Sequence, residues 1–144
     1  MFRMIGLLLA MALMAPPPCH ADPMTPAPGT QLRKSILDVA RQPAEQQLGR
    51  EVKFRVWRLA VDGPWAFLFA EMQGSDGKPV EYTGTALAQA AREGGVSRAF
   101  AALLHRAGSR WSITASAVGP TDVAWQNWPK EYGAPAQLFD GGGE

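Results

Sequence analysis

The chain has 144 residues, a formal net charge of +1, one cysteine and two histidines, which suits one ordinary domain with its own core. A near-neutral balance argues against a general nucleic-acid role, because proteins that live on phosphate contacts carry a clear basic excess. So few thiols and imidazoles argue against the usual zinc and copper ligand sets, no acidic loop has calcium-binding spacing, and no cofactor is expected.

Taken in chain order, the first expected element is an export signal over residues 1–21. Met1-Phe2-Arg3-Met4 is a short basic start and Ile5 to Ala15 an apolar run. Cys19-His20-Ala21 then sets small residues before a cut that leaves Asp22 at the N-terminus. That apolar run covers only about half of a roughly 30 Å hydrocarbon core, so no membrane span is expected. Pro16-Pro17-Pro18 is not the apolar lead-in of a lipid-anchored cysteine. The expected location is therefore the periplasm or the exterior, with a processed chain that lacks thiols and keeps His105 as its histidine.

Residues 22–29, DPMTPAPG, read as an extended proline-rich leader. Thr30 is an expected N-cap, and Leu32, Ile36, Val39 and Ala40 recur at helical spacing. Pro43 is expected to kink or end the helix, or to open a further turn through Ala44 to Leu48, with Gly49 as C-cap. A hairpin follows, Glu51 to Val61 and Pro64 to Met72, turning through Asp62-Gly63. That turn sets Ala60 opposite Trp65, Arg58 opposite Phe67 and Val56 opposite Phe69. One face then holds Phe54, Val56, Trp65, Phe67 and Phe69, and the other Trp57, Leu59, Val61, Ala66 and Leu68. Both faces are apolar, so each needs a cover.

Beyond the loop at 74–79, Thr85 to Glu93 reads as a short helix closed by Gly94-Gly95. A second hairpin, Val96 to Arg106 and Arg110 to Val118, turns through Gly108-Ser109. Its alternation assigns Phe100, Ala102, Leu104, Trp111, Ile113, Ala115 and Ala117 to the core face. Ala101, Leu103, His105, Ser112, Thr114 and Ser116 take the other. Thr121-Asp122 caps a short helix carrying Trp125 and Trp128, which Pro129 and Gly133 break, and residues 140–144 read as a disordered tail. The expected fold is α+β: an N-terminal helix packed on a four-stranded antiparallel sheet of two hairpins, with a short helix between them and an aromatic C-terminal segment. One domain spans residues 30–139. The helix covers the first face, and Trp125 and Trp128, or a second copy of the protein, cover the face of Trp57, Leu59 and Leu68.

The stretches RKSILDVAR, VKFRVWRLAVDGPWAFLFAEMQ, FAALLHRAGSRWSI and GPTDVAWQNWPKEYGAPAQLF resemble a recurring type of small, uncharacterised exported bacterial protein. The resemblance runs over most of Gln31 to Phe139 and is most specific at Trp65-Ala66-Phe67 and from Gly119 to Trp128. In the order of helix and sheet the chain is also similar to cystatin-like and NTF2-like layouts. Such layouts host many unrelated functions, and neither resemblance supplies a catalytic residue.

Three constellations invite a chemical reading. His105 and Ser112 fall opposite each other, as a base and its nucleophile do, with Asp122 available to orient the imidazole. The alternative is a polar cross-strand pair, and no Gly-x-Ser-x-Gly elbow surrounds any serine. Lys53, Arg55 and Arg58 interleave with Phe54, Val56 and Trp57, as on a platform for an anionic polymer or headgroup, or as charges that protect an edge strand. Trp57, Trp125 and Trp128 line a groove for a sugar, a peptide or a lipid tail, or close a small core. The reading that follows is an exported binding module without catalytic chemistry. Its partner face is Trp57, Leu59, Leu68, Trp125 and Trp128, for an envelope protein, peptide or glycan, with a homodimer as a further possibility. The alternative is a small hydrolase using His105 in a pocket between helix and sheet.

Overall fold

A computed structural model describes residue 15 and residues 22–141. The export signal read over residues 1–21 lies, Ala15 apart, outside the described residues, as do residues 142–144. Helix α1 (Gln31–Leu48) precedes strands β1 (Lys53–Asp62) and β2 (Trp65–Gln73). A short α2 (Ala88–Arg92), strands β3 (Ala99–Ala107) and β4 (Arg110–Val118), α3 (Trp128–Tyr132) and a 3-10 helix (Ala136–Phe139) complete the chain. The protein is α+β, and its strands form one antiparallel meander in the order β1-β2-β3-β4.

The Thr30 hydroxyl accepts the Arg33 N–H at 3.3 Å and opens α1. Gly49, left-handed at φ 67°, closes it, its N–H donating to Glu45 O. The helix runs unbroken through Pro43. Ile36, Ala40, Ala44 and Leu48 lie four apart and buried on both sides of that proline. Packing of that single stripe on the sheet offsets the hydrogen bond the proline cannot make. The proline-rich leader is extended and also docked: Met24 exchanges two 2.8 Å backbone hydrogen bonds with Val61, and Pro26 is buried.

The first hairpin turns one residue later than Asp62-Gly63. Asp62 pairs with Trp65, so Gly63 (φ 55°) and Pro64 form the turn. Proline has no N–H for the ladder and is excluded into the turn. The pairing therefore becomes Ala60 with Phe67 and Arg58 with Phe69, instead of the Ala60–Trp65 and Arg58–Phe67 pairs read above. A β-bulge then leaves Trp57 unpaired between Val56–Ala70 and Arg58–Phe69. One extra residue reverses the side on which every earlier side chain points. Phe54 and Val56 thus join Leu59, Val61, Ala66 and Leu68 beneath α1, not Phe67 and Phe69.

In the second hairpin His105–Ser112 and Ala107–Arg110 pair as expected around Gly108-Ser109. The alternation fails further along, because Thr114 is bulged between Leu104–Ile113 and Leu103–Ala115. Ala115 and Ala117 pass to the opposite face, where Ala101 and Leu103 are fully buried. Both faces of β3 are therefore interior from Phe100 to Leu104, whereas β4 is half-buried beyond Trp111, with Ser112 and Ser116 exposed.

The covers are consequently exchanged relative to the sequence reading. Helix α1 lies over β3 and β4 on the face of Leu59 and Leu68, completed there by Val80, Tyr82 and Leu87. The C-terminal segment covers the face of Phe67 with Trp125, Trp128, Ala134 and Leu138. Pro129 sits in the first turn of α3 and opens that helix rather than breaking it. Asp140 caps the 3-10 helix.

A latch fixes the chain where it leaves β4. The Tyr82 hydroxyl donates to the Ser97 carbonyl, the Ser97 hydroxyl to the Pro120 carbonyl, and the Ser97 N–H to Gly119 O. Burial pushes the Tyr82 hydroxyl above its ordinary pKa, against a smaller opposing pull from Arg98. A raised folded-state pKa means that folding favours the protonated phenol. This contribution is whole below the unfolded value of about 10 and is lost as pH rises through the folded value. Urea midpoints measured from pH 8 upward are expected to fall at the alkaline end, and less steeply in Tyr82→Phe. Identical alkaline slopes for the two proteins would remove Tyr82 from the account.

Candidate functional site

The residues read as a partner face divide sharply by exposure. Leu59, Leu68, Trp125 and Trp128 are interior, at 1, 0, 7 and 6% exposed, whereas Trp57 is 47% exposed. The first four are core because α1 and the C-terminal segment each close one side of the sheet. That also removes the reason for a second copy to pack on this face.

Trp57 stands out because of the bulge. Its ring lies on Phe69 at 4.9 Å between centroids, and Phe69 lies on Trp125 at 4.8 Å. Trp125 continues to Phe67 at 5.8 Å and Phe67 to Phe139 at 4.6 Å. One exposed indole thus rests on a row of rings anchored in the core, which holds it in place at little further loss of side-chain freedom. Phe54, Val56, Leu59 and Val61 carry the sequence signal of the bulge: the spacing of two widens to three at Trp57 and then returns to two. Strict period-two reading across that step hid it.

The basic residues of β1 do not form a common platform. Arg58 clamps the C-terminus, its Nε donating to Leu138 O at 3.0 Å and its Nη2 to Gln137 O at 3.5 Å, while Lys53 donates to Ser75 O at 2.9 Å. Arg55 is exposed, pairs in register with Glu71, and has no ion pair among the described residues. It shares the face of Trp57, because Phe54 and Val56 on either side of it point beneath α1.

His105 and Ser112 are cross-strand neighbours, but not as base and nucleophile. The Ser112 hydroxyl donates to the backbone carbonyl of His105 at 3.3 Å, and the imidazole meets the Trp65 ring edge-on at 4.6 Å. Asp122 is exposed, and among the described residues no carboxylate hydrogen-bonds or ion-pairs with the imidazole. Serine activation needs that chain of contacts.

A cleft of about 770 Å³ lies between α1 and the start of β1 and is lined by Asp38, Arg41, Glu45, Glu51, Val52, Lys53, Phe54 and Gln73. Most of its charges are already engaged. Asp38 bridges Lys34 and Arg41 at 2.6 Å each, and the Lys34 hydrogen bond, with Arg41 adding to it, holds its carboxyl below the usual range. Glu45 accepts the Val52 N–H at 3.2 Å. The cleft has no convergent set of unengaged polar groups of the kind that fixes a small ligand. Among the described residues no group of three or more His, Cys, Asp or Glu side chains could hold a metal ion, and no helix is long and apolar enough to cross a membrane.

The fold and its surface therefore define a small α+β protein in which, among the described residues, Trp57 is the exposed tryptophan. No family model, no curated protein and no solved structure matches this chain.

Proposed function

We propose that the protein is an exported, non-catalytic binding module of the bacterial envelope that engages a protein, peptide or glycan through Trp57. Export rests on the signal-like pattern of Met1 to Ala21 and on the resemblance to small exported bacterial proteins. The observation that carries the binding reading is Trp57, 47% exposed on top of a row of rings that runs from half-buried Phe69 to buried Trp125 and Phe67. Large aromatic side chains are the commonest energetic anchors of interfaces, and a ring held rigid in the free protein loses little on binding. Arg55, beside it without an ion pair among the described residues, supplies a charge to an acidic or polar partner group.

The test compares the purified protein with Trp57→Ala as immobilised bait for envelope extract. A species retained by the first and lost from the second is the expected result, and identical capture by both removes Trp57 from the reading. Stability is expected to change by about 1 kcal/mol, the worth of one partly exposed aromatic pair, so lost capture with near-normal melting separates contact from folding.

A further inference from the structure

The surface around Trp57 has a polar side that decides what fits there. Arg55 of β1 and Glu71 of β2 stand directly opposite each other in register, and Ala99 of β3 follows in the same row. Glu71 shares the face of Trp57 and Arg55, because Ala70 and Met72 on either side of it point beneath α1. Trp125 packs on Phe69, in the row before them, while Arg55 is exposed and Glu71 and Ala99 are half-buried. Residues directly opposite in such a ladder hold their Cβ atoms about 5 Å apart, close enough for an ion pair. Yet among the described residues neither Arg55 nor Glu71 enters an ion pair or a side-chain hydrogen bond. A group that only donates and a group that only accepts thus stand side by side, about 7 Å along the strand from the indole.

This combination selects among ligand classes. Glu71 opposes a polyanion, and the other basic residues of β1 are engaged: Lys53 with the Ser75 carbonyl, Arg58 with those of Leu138 and Gln137. Arg55 opposes a cationic segment in the same way. An extended peptide would pair along the β1 edge, which is bulged at Trp57 and already paired at Val61 by Met24. A neutral sugar ring meets every condition. Its C–H face is apolar and covers an indole, and each hydroxyl at its rim both donates and accepts.

We propose that Trp57, Arg55 and Glu71 form a subsite for one ring of a neutral oligosaccharide. The ring stacks on Trp57, one hydroxyl donates to the Glu71 carboxylate, and a neighbouring hydroxyl accepts from the Arg55 guanidinium. Both hydrogen bonds are charge-assisted, and the opposite charges cancel over the site. The inference rests on the Trp57 reading and narrows its partner to a glycan.

Calorimetric titration with chitotetraose, cellotetraose and maltotetraose tests the subsite, with heparin as the anionic counterpart. At least one of the three neutral sugars is expected to bind, with saturation transfer in NMR strongest at its ring C–H protons. Trp57→Ala is expected to abolish that binding. Arg55→Ala and Glu71→Gln are each expected to weaken it about tenfold, the worth of one hydrogen bond to a charged group. Circular dichroism and thermal melting of each variant separate lost contact from misfolding. Absence of binding by all three sugars overturns the proposal, as does sugar binding indifferent to Arg55→Ala and Glu71→Gln. Heparin binding that strengthens in Glu71→Gln, without sugar binding, overturns it in favour of a polyanion. A protein captured from envelope extract through Trp57, with no sugar bound, ends the glycan inference and leaves the Trp57 reading standing.

Discussion

Phe67→Ala is expected to destabilise the protein by about 3–5 kcal/mol, a large part of the total stability of a domain this size. Phe67 is fully buried at the centre of the sheet, with Trp125, Trp128 and Phe139 around it at 5.8, 6.5 and 4.6 Å. Its removal leaves a cavity that these rings cannot fill together, because each is fixed by other contacts: Trp125 by Phe69, and the 3-10 helix by Arg58 and Asp62. At roughly 4 °C or more per kcal/mol, the midpoint of thermal unfolding is expected to fall by about 12 °C or more. The defect is also expected to be local first. The C-terminal segment attaches to the sheet chiefly through this ring cluster, so limited proteolysis should release residues beyond Gly119 before the rest unfolds. A loss below about 1 kcal/mol with that segment still protected would show that the anchor lies elsewhere.

The second large effect is expected at Gly119. Its φ is +67°, a region that costs an L side chain roughly 1–2 kcal/mol. A Cβ there would also lie 3.0 Å from the Ser97 carbonyl, 3.1 Å from Val96 Cβ and 3.3 Å from the Tyr82 hydroxyl. Making room means moving the carbonyl that accepts the Tyr82 hydrogen bond, so Gly119→Ala is expected to cost about 2–4 kcal/mol in all. Gly108→Ala is the matched control: φ is +62° in the turn of the second hairpin, with nothing within 4 Å of the added carbon. Denaturant titrations of the two variants isolate the crowding, and equal losses would refute the latch between Tyr82, Ser97 and Gly119.

Much of the architecture is legible from residue pattern alone. Thr30 and Gly49 mark the ends of α1 by local chemistry, a hydroxyl that caps and a residue free to turn left-handed. Asp62-Gly63-Pro64 and Gly108-Ser109 mark both hairpins, and the second register follows from its turn as far as Leu104–Ile113, where the bulge at Thr114 shifts it. The register of the first required noticing that Pro64 brings no N–H to a ladder. The site was less legible: of the five residues singled out as a partner face, only Trp57 is on the surface. Leu59 and Leu68 belong to a second apolar face, which is also the pattern of a sheet buried on both sides, and Trp125 and Trp128 are cover rather than site.

What local chemistry determined by itself was therefore the kind and order of elements: one capped helix, four strands in two hairpins and an aromatic end, because caps, turns and alternation act within a few residues. What tertiary structure decided was which face meets which cover, and hence which tryptophan meets the solvent. Two single-residue bulges, at Trp57 and Thr114, reverse the facing of each edge strand partway along. A side-chain period of two makes every assignment beyond such a step change sides. A bulge forms where packing on both faces favours it, and that balance is settled only when helix and C-terminal segment have both docked.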